Sequence, residues 1–266
     1  MQDISVKDLQ ARELELLREL AGILEKNGIR FWLAYGTVLG CVRHGGFIPW
    51  DDDIDLYILG EDYPRLKEVF ATQETGFLAL HDHESAKGYP YVFPKVVDTR
   101  TKLREGEFAH LEYTGGVYLD IFPLFEVPNG KLRRKWCEKR RYLRYAMVRG
   151  AFKDPARASG VKRILLKLLG RFVDPVRVQR KLYRGYVKPH TGKSVYVTEP
   201  NVFSEKSLVK AAYFTDHEQR PFEGVTMPIP ASSAEYLTDV YGDYMRLPDE
   251  KDRVPCHAFA LLDLGE

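Results

Sequence analysis

The chain has few cysteines, no long apolar run and no internal repeat. Its three cysteines (Cys41, Cys137 and Cys256) are odd in number and widely spaced, which argues against a disulfide framework and predicts a reducing compartment. No stretch reaches the roughly 18 consecutive apolar residues that span a bilayer. The N-terminal sequence MQDISVKDLQ contains no apolar core of the signal-peptide kind. These absences predict a cytoplasmic globular protein.

Charge is distributed unevenly along the 266 residues, which are enough for one large domain with an insertion. The formal net charge is +2, but residues 131–188 contain 20 Lys and Arg against three acids, a balance of +17. The rest of the chain carries 20 bases and 35 acids, a balance of −15. An electrostatic partner is therefore expected to meet the basic segment rather than the whole surface.

Strand-like and helix-like segments are mixed without regular alternation, which predicts an α/β or α+β fold with a small mixed sheet. The predicted strands are 30–35, 53–59, 91–98, 116–125, 194–198 and a region near 222–229. The predicted helices are 5–27, 38–43, 61–71, two or three in the basic segment, and one that Ser232 and Glu235 begin in capping-box spacing. We predict a catalytic core at 1–130, a basic helical insert at 131–190, and a part at 191–266 that completes the core.

The segment FIPWDDDIDL (47–56) places four aspartates among apolar residues. Because side chains two apart share a strand face, Asp53 and Asp55 point one way and the apolar residues between and after them point to a core. Paired carboxylates on a half-buried strand need neutralisation, and hard divalent cations prefer such ligands. A solvated acidic turn is the alternative. Asp51 is expected on the same side of the strand as Asp53 and Asp55, in the outer shell of the metal site. Asp52 is expected to point to the opposite side of the strand and to have a structural role.

A third carboxylate stands in the apolar strand GVYLDIFPLF (116–125), where Asp120 is surrounded by aromatic and aliphatic residues. It is a candidate metal ligand or proton acceptor, and a salt bridge to a buried base is the alternative. Upstream, Gly36 and Thr37 lie at a strand-to-helix junction, where a close backbone approach and a hydroxyl suit a phosphate. Arg43, His44 and Lys95 are further candidates for contact with a phosphate group. Helix C-capping is the alternative for Arg43 and His44, and a solvated edge position for Lys95.

The string LAYGTVLGCVRHGGFIPWDDDIDLYI (33–58) closely resembles the LicD family, as do GVYLDIFPL (116–124) and, near the C-terminus, FEGVTMPIP and YLTDVYGDYMRLP (236–248) followed by His257. The resemblance implies a nucleotidyltransferase-like fold, with Asp53, Asp55 and Asp120 as metal and catalytic residues and His257 near the site. It also implies a Mg²⁺ or Mn²⁺ cofactor, a CDP-alcohol donor such as CDP-choline, and transfer of the phosphorylated alcohol to a glycan, with release of CMP. Another polyol phosphate, or true nucleotidyl transfer, is the alternative.

Residues 161–173 (VKRILLKLLGRFV) form a cationic amphipathic helix by their spacing. The helix could pack on the core with a basic exterior. It could instead contact an anionic membrane surface, or a lipid-linked glycan acceptor on the inner leaflet. Nucleic acid is not expected as a partner, because the rest of the chain is acidic.

Overall fold

The computed structural model describes residues 5–184, 191–199 and 208–264. It contains seven α-helices in these ranges: α1 Val6–Lys26, α2 Tyr35–His44, α3 Tyr63–Thr72, α4 Lys131–Phe152, α5 Gly160–Phe172, α6 Pro175–Arg184 and α7 Ser233–Tyr241. The strands described there are β1 Phe31–Leu33, β2 Asp55–Leu59, β3 Leu78–His81, β4 Lys95–Asp98, β5 Lys102–Glu105, β6 Tyr118–Glu126, β7 Tyr196–Thr198, β8 Val209–Lys210, β9 His217–Phe222, β10 Val225–Pro230 and β11 Phe259–Asp263.

The main sheet is mixed, as the sequence predicts. Its central order is β1-β2-β6-β4-β3, and β7 and β8 extend it from the distal end of β6. The β2–β6 pair is parallel, whereas the β1–β2, β6–β4 and β4–β3 pairs are antiparallel. Two smaller antiparallel pairs, β9 with β10 and β11 with β5, lie outside this sheet.

The largest apolar core forms around the central strands. The core fully buries four leucines of α1: Leu16, Leu17, Leu20 and Leu24. It also fully buries Ile54, just before β2, and Leu56 and Ile58 of β2. Helix α1 begins at a capping box, in which Ser5 and Asp8 satisfy each other's backbone amides, as the sequence predicts. Tyr57, which shares the face of Asp55, is fully buried as well, so both faces of β2 are covered by other parts of the protein.

The predicted capping box at Ser232 is wrong. Ser232 adopts a left-handed conformation with φ of 55°, and its side chain makes no cap hydrogen bond. The first turn of α7 is held instead by Glu218 of β9, which accepts bonds from the backbone N–H and the hydroxyl of Ser233. A carboxylate distant in sequence thus replaces the local cap.

The basic segment forms the three helices α4, α5 and α6, which are broken at Asp154-Pro155 and Asp174-Pro175 as predicted. Helix α6 joins the main core through Leu182, which is fully buried, and Tyr183. Strand β7, which follows the segment, pairs with β6, which precedes it. The division into core, insert and completing part stays a prediction.

Candidate active site

A row of three charged side chains crosses the middle of the sheet. The parallel register places Asp55 of β2 opposite Asp120 of β6, and the antiparallel register places Lys95 of β4 opposite Asp120 on its other side. Cross-strand partners present their side chains on the same face about 5 Å apart. The two carboxylates that the sequence assigns to one site are therefore direct neighbours.

Asp53, just before β2, completes a set of three carboxylates. Oxygen atoms of Asp53, Asp55 and Asp120 all lie within 4.8 Å of one another. Burial, followed by the charges of Asp53 and Asp120, raises the pKa of Asp55 well above its usual range. Burial also raises the pKa of Asp120 to about 6, although Lys95 opposes the shift. A compact set of buried oxygen donors with excess negative charge fits a hard divalent cation such as Mg²⁺ or Mn²⁺.

Lys95 is one of the largest fully enclosed side chains among the described residues, with 2% of its surface exposed. Its Nζ lies 2.7 Å from Asp120 Oδ1 and 3.7 Å from Glu105 Oε1. The ammonium also sits 3.3 Å from the centre of the Tyr118 ring and 4.3 Å from that of Tyr91. The solvated-edge alternative for Lys95 is therefore wrong, and its contact with donor phosphates stays a prediction.

Gly36 and Thr37 hold the acidic loop and β2 in place. A Cβ on Gly36 would lie 2.9 Å from Asp51 Oδ2, so any side chain at residue 36 would displace this carboxylate oxygen. The Thr37 hydroxyl oxygen accepts a hydrogen bond from the Asp55 backbone N–H at 2.9 Å. Its own hydrogen remains available for a ligand. Gly36 and Thr37 thus lie at the site, and their contact with phosphate stays a prediction.

Asp52 connects the acidic loop to the segment before β11. Its carboxylate accepts hydrogen bonds from the backbone N–H groups of Cys256 at 3.2 Å and His257 at 2.9 Å, and it lies 3.0 Å from His257 Nδ1. Asp52 thus has the structural role expected for it, and its partners are Cys256 and His257 near the C-terminus. His257 Nε2 lies 4.0 Å from Asp53 Oδ2, which places the imidazole beside the carboxylates.

The bonds from Asp52 and the charge of Asp53 outweigh the opposing effect of burial and raise the pKa of His257 to about 9. The same bonds lower the pKa of Asp52 against its own burial. Asp51, Asp52 and Asp53 also bring oxygen atoms within 4.8 Å of one another. Because Asp52 is already committed to His257 and Cys256, this second trio is a weaker candidate for a cation.

Arg43 and His44 lie at the other end of α2 from Gly36. Arg43 Nη1 donates to the Tyr244 carbonyl at 3.0 Å, and its Nε lies 3.0 Å from His44 Nε2. Arg43 also lines a cleft of about 440 Å³ with Trp50, Tyr241 and Arg246. The cleft begins next to the acidic loop, since Trp50 directly precedes Asp51. A role in donor binding stays a prediction for Arg43 and His44.

The sequence analysis missed Glu13 of α1. It is 2% exposed, one of its carboxylate oxygens has no hydrogen-bond partner, and its pKa is raised well above the usual range by burial and then by Asp53. Glu13 occupies the same helix face as Leu9 and Leu17, so a single acid among core positions was the available signal. Gln10, three residues before Glu13, also faces the acidic loop, because its Nε2 donates to the Asp51 carbonyl at 2.8 Å.

Comparison with known proteins gives this geometry a family. The protein-family model described as LicD/FKTN/FKRP, nucleotidyltransferase domain, matches residues 28–148 of the sequence, which include the whole carboxylate row. The lipopolysaccharide cholinephosphotransferase LicD of Haemophilus influenzae is 30% identical over 97% of this chain and 97% of its own length. This chain belongs to the LicD family. It is a LicD-type phosphotransferase, and its carboxylate row lies within the residues that match the family's nucleotidyltransferase domain.

Other members of the LicD family match only part of the chain. Ribitol 5-phosphate transferase FKRP of Homo sapiens is 30% identical over 47% of this chain and 23% of that protein. Ribitol-5-phosphate transferase FKTN of Mus musculus is 33% identical over 50% of this chain and 26% of its own length.

Within the ranges that the structure covers, no helix is both long and apolar enough to cross a membrane.

Proposed function

We propose that the chain transfers phosphocholine from CDP-choline to a sugar hydroxyl of a cell-surface glycan precursor and releases CMP. The observation that carries the proposal is the Asp53, Asp55 and Asp120 set in a chain whose similarity to a cholinephosphotransferase extends over 97% of both proteins. The similarity to the ribitol phosphate transferases stops at about half of the chain. Choline is therefore preferred over ribitol as the transferred alcohol.

Asp53, Asp55 and Asp120 would hold the divalent cation. Lys95 binds Asp120 Oδ1 at 2.7 Å, which leaves Oδ2 of that carboxylate as the available ligand atom. When bound, Mg²⁺ or Mn²⁺ supplies neutralisation of the donor pyrophosphate and of the charge that develops on the departing CMP. Lys95 and Thr37 fix the orientation of the carboxylates before substrate arrives, which lowers the cost of positioning.

The acceptor hydroxyl would attack the phosphorus that bears choline, the bond from that phosphorus to the CMP oxygen would break, and the hydroxyl proton would pass to a carboxylate of the row. The cleft beside Trp50 suits the donor. Arg43 and Arg246 supply positive charge for phosphate, and Trp50 and Tyr241 supply aromatic faces. In this arrangement the protein positions and neutralises its substrates and forms no covalent intermediate.

The test is to incubate the protein with Mg²⁺ or Mn²⁺, a lipooligosaccharide acceptor, and a panel of CDP-choline, CDP-ribitol and CDP-glycerol. We expect CMP release that is fastest with CDP-choline, and an acceptor mass that rises by one phosphocholine. The inactive control is Asp55→Asn. Preference for CDP-ribitol or CDP-glycerol would select the polyol phosphate alternative. A mass increase of one nucleotide monophosphate would instead identify a nucleotidyltransferase.

We also propose that the acceptor is linked to lipid and that the enzyme acts in the cytoplasm, at the inner face of the membrane. The basic segment 131–188 supports this location, since it concentrates 20 of the 40 Lys and Arg residues. An acceptor extracted with its lipid, compared with the same glycan released from lipid, tests the first part. Equal transfer to both at equal concentration would count against a lipid-linked substrate.

A further inference from the structure

Helix α5 turns its apolar stripe toward solvent. Its apolar face is formed by five residues, of which 48% to 83% of the surface is exposed: Val161, Ile164, Leu165, Leu168 and Phe172. Leu166 is the buried residue of this helix. An amphipathic helix of a globular protein normally buries such a stripe against the core. The core-packed prediction for this helix is therefore wrong, and the exposed stripe needs a different partner.

The packing of α5 explains which face remains free. A Cβ on Gly150 of α4 would lie 2.6 Å from Leu169 Cδ1 and 3.9 Å from Leu166 Cδ2, so the two helices approach closely at that glycine. Leu166 and Leu169 thus fill the contact with α4. The stripe that contains Leu165 and Leu168 lies on another side of the helix and is left uncovered by the described residues.

The charges next to the stripe indicate the kind of partner. Helix α5 contains Lys162, Arg163, Lys167 and Arg171 and no acidic residue. Exposed apolar residues with cations beside them are the pattern of a helix that lies in a membrane interface, where the apolar face enters the acyl boundary and the cations meet anionic headgroups. A second copy of the chain is a poorer partner, because a two-fold contact would bring the two cationic borders together.

The segment that carries α5 is fixed to the catalytic core at several points. Arg149 of α4 donates to both carboxylate oxygens of Glu107, at 2.8 and 3.0 Å. In α6, Gln179 and the Tyr183 hydroxyl both donate to the Val92 carbonyl, at 2.5 and 2.9 Å. Val92 lies three residues before Lys95 of the carboxylate row. A surface that binds α5 would therefore hold the active site at a defined distance from that surface.

We propose that the exposed apolar stripe of α5, with its flanking cations, docks the enzyme on an anionic lipid bilayer. The docking itself does not depend on the proposed function. The inference rests on that function only for the purpose of docking, which is to bring the active site to lipid-linked acceptors. The binding is electrostatic and hydrophobic together. Neutral bilayers and high salt should both weaken it.

The test is sedimentation of the full chain with vesicles of phosphatidylcholine alone, and with vesicles in which about a third of the lipid is phosphatidylserine. We expect binding to the anionic vesicles, reduced as the ionic strength rises from about 0.05 to about 0.5 M, and little binding to the neutral ones. Equal, negligible binding to both kinds of vesicle would overturn the proposal.

Two sets of variants separate the contributions of the stripe and the charges. Leu165→Ser with Leu168→Ser should weaken binding to anionic vesicles by about tenfold to a hundredfold, because two exposed leucines no longer enter the lipid. Lys162→Gln, Lys167→Gln and Arg171→Gln together should weaken it by on the order of a hundredfold. The matched control is Val195→Ser with Met245→Ser, which removes two exposed apolar side chains outside α5 and should leave binding unchanged.

Two further readouts, transfer and self-association, complete the test. Transfer to a lipid-free soluble acceptor should be the same in the wild type and in the α5 variants. Wild-type protein that transfers phosphocholine but binds neither kind of vesicle overturns docking alone, whereas wild-type protein that binds anionic vesicles but transfers nothing overturns the proposed function alone. Self-association of the wild type that Leu165→Ser with Leu168→Ser abolishes, without vesicle binding, would show that a second copy covers the stripe and would overturn the proposal.

Discussion

Asp55 of β2 and Asp120 of β6 are direct cross-strand neighbours in a parallel pair at the centre of the main sheet. Like charges in such positions destabilise the pairing, and burial intensifies their repulsion. Lys95 offsets part of this charge from the opposite side of β6. The carboxylate row is therefore built at a cost to stability, which makes its members testable without a transferase assay.

Asp55→Asn should abolish transfer and stabilise the cation-free protein. We expect activity to fall about a hundredfold or more, because a ligand of the proposed Mg²⁺ or Mn²⁺ site is lost. The free energy of unfolding in EDTA should rise by about 1 kcal/mol, because the repulsion from Asp53 and Asp120 is relieved. Initial rates of transfer measure the first effect, and thermal unfolding with and without Mg²⁺ measures the second. Wild-type stabilisation by Mg²⁺ that persists unchanged in Asp55→Asn would contradict the assignment.

Lys95→Met should destabilise the protein by about 3–5 kcal/mol, since it leaves the Asp120 carboxylate buried without its counterion. Methionine keeps an unbranched apolar stem against Tyr91 and Tyr118, so lost packing contributes little. Adding Asp120→Asn to Lys95→Met should recover much of the loss. Urea unfolding of the two single variants and the double variant gives the coupling energy. Additive effects would show that Lys95 and Asp120 do not act as a pair.

Gly36→Ala should reduce transfer about tenfold or more. The added Cβ would lie 2.9 Å from Asp51 Oδ2, so this carboxylate oxygen has to move out of place. The matched control is Gly22→Ala in α1, where the new Cβ meets no atom within 4 Å. That control should leave transfer unchanged and stabilise the helix by about 1 kcal/mol. Initial rates and thermal unfolding check both variants. Equal activity of Gly36→Ala and wild type would exclude a need for close approach at residue 36.

The stability of the protein should fall in acid through Asp82. Burial alone would raise the pKa of this carboxyl. The Tyr63 hydroxyl and the Ser85 amide, which donate at 2.7 and 2.8 Å, together with Lys67 at 3.0 Å, lower the pKa to about 2. A depressed acid pKa stabilises the fold above the unfolded value of 3.8, and this contribution, about 2 kcal/mol, is lost as the pH falls through about 2.

Urea unfolding of wild type and Asp82→Asn between about pH 7 and pH 2 tests this assignment. The variant should be less stable at neutral pH and should lose less stability between about pH 4 and pH 2. Parallel curves for the two proteins would show that Asp82 does not titrate in this way.

The sequence predicts the features of the site that depend on local pattern. Alternation along 53–59 places Asp53 and Asp55 together, and the isolation of Asp120 in an apolar strand marks it as their partner. The bond between Asp52 and His257 joins residues 205 positions apart, and no local pattern encodes it. Glu13 and the cap that Glu218 provides to α7 were missed for the same reason. Each of these interactions joins elements that are distant in sequence and meet only in the folded protein.

The basic helices begin and end at one narrow point of the sheet. Phe125 and Glu126 of β6 pair with Thr198 and Val197 of β7, and just beyond them Asn129 exchanges hydrogen bonds with Lys193 and Val195. Helices α4, α5 and α6 thus lie in the loop of an enlarged hairpin, which these bonds close at its base and which Leu182 and Tyr183 of α6 anchor in the main core. Evolution or engineering could replace the exposed residues of α5 and so change its surface preference, while the strand register, and with it the spacing of Asp55 and Asp120, stayed the same.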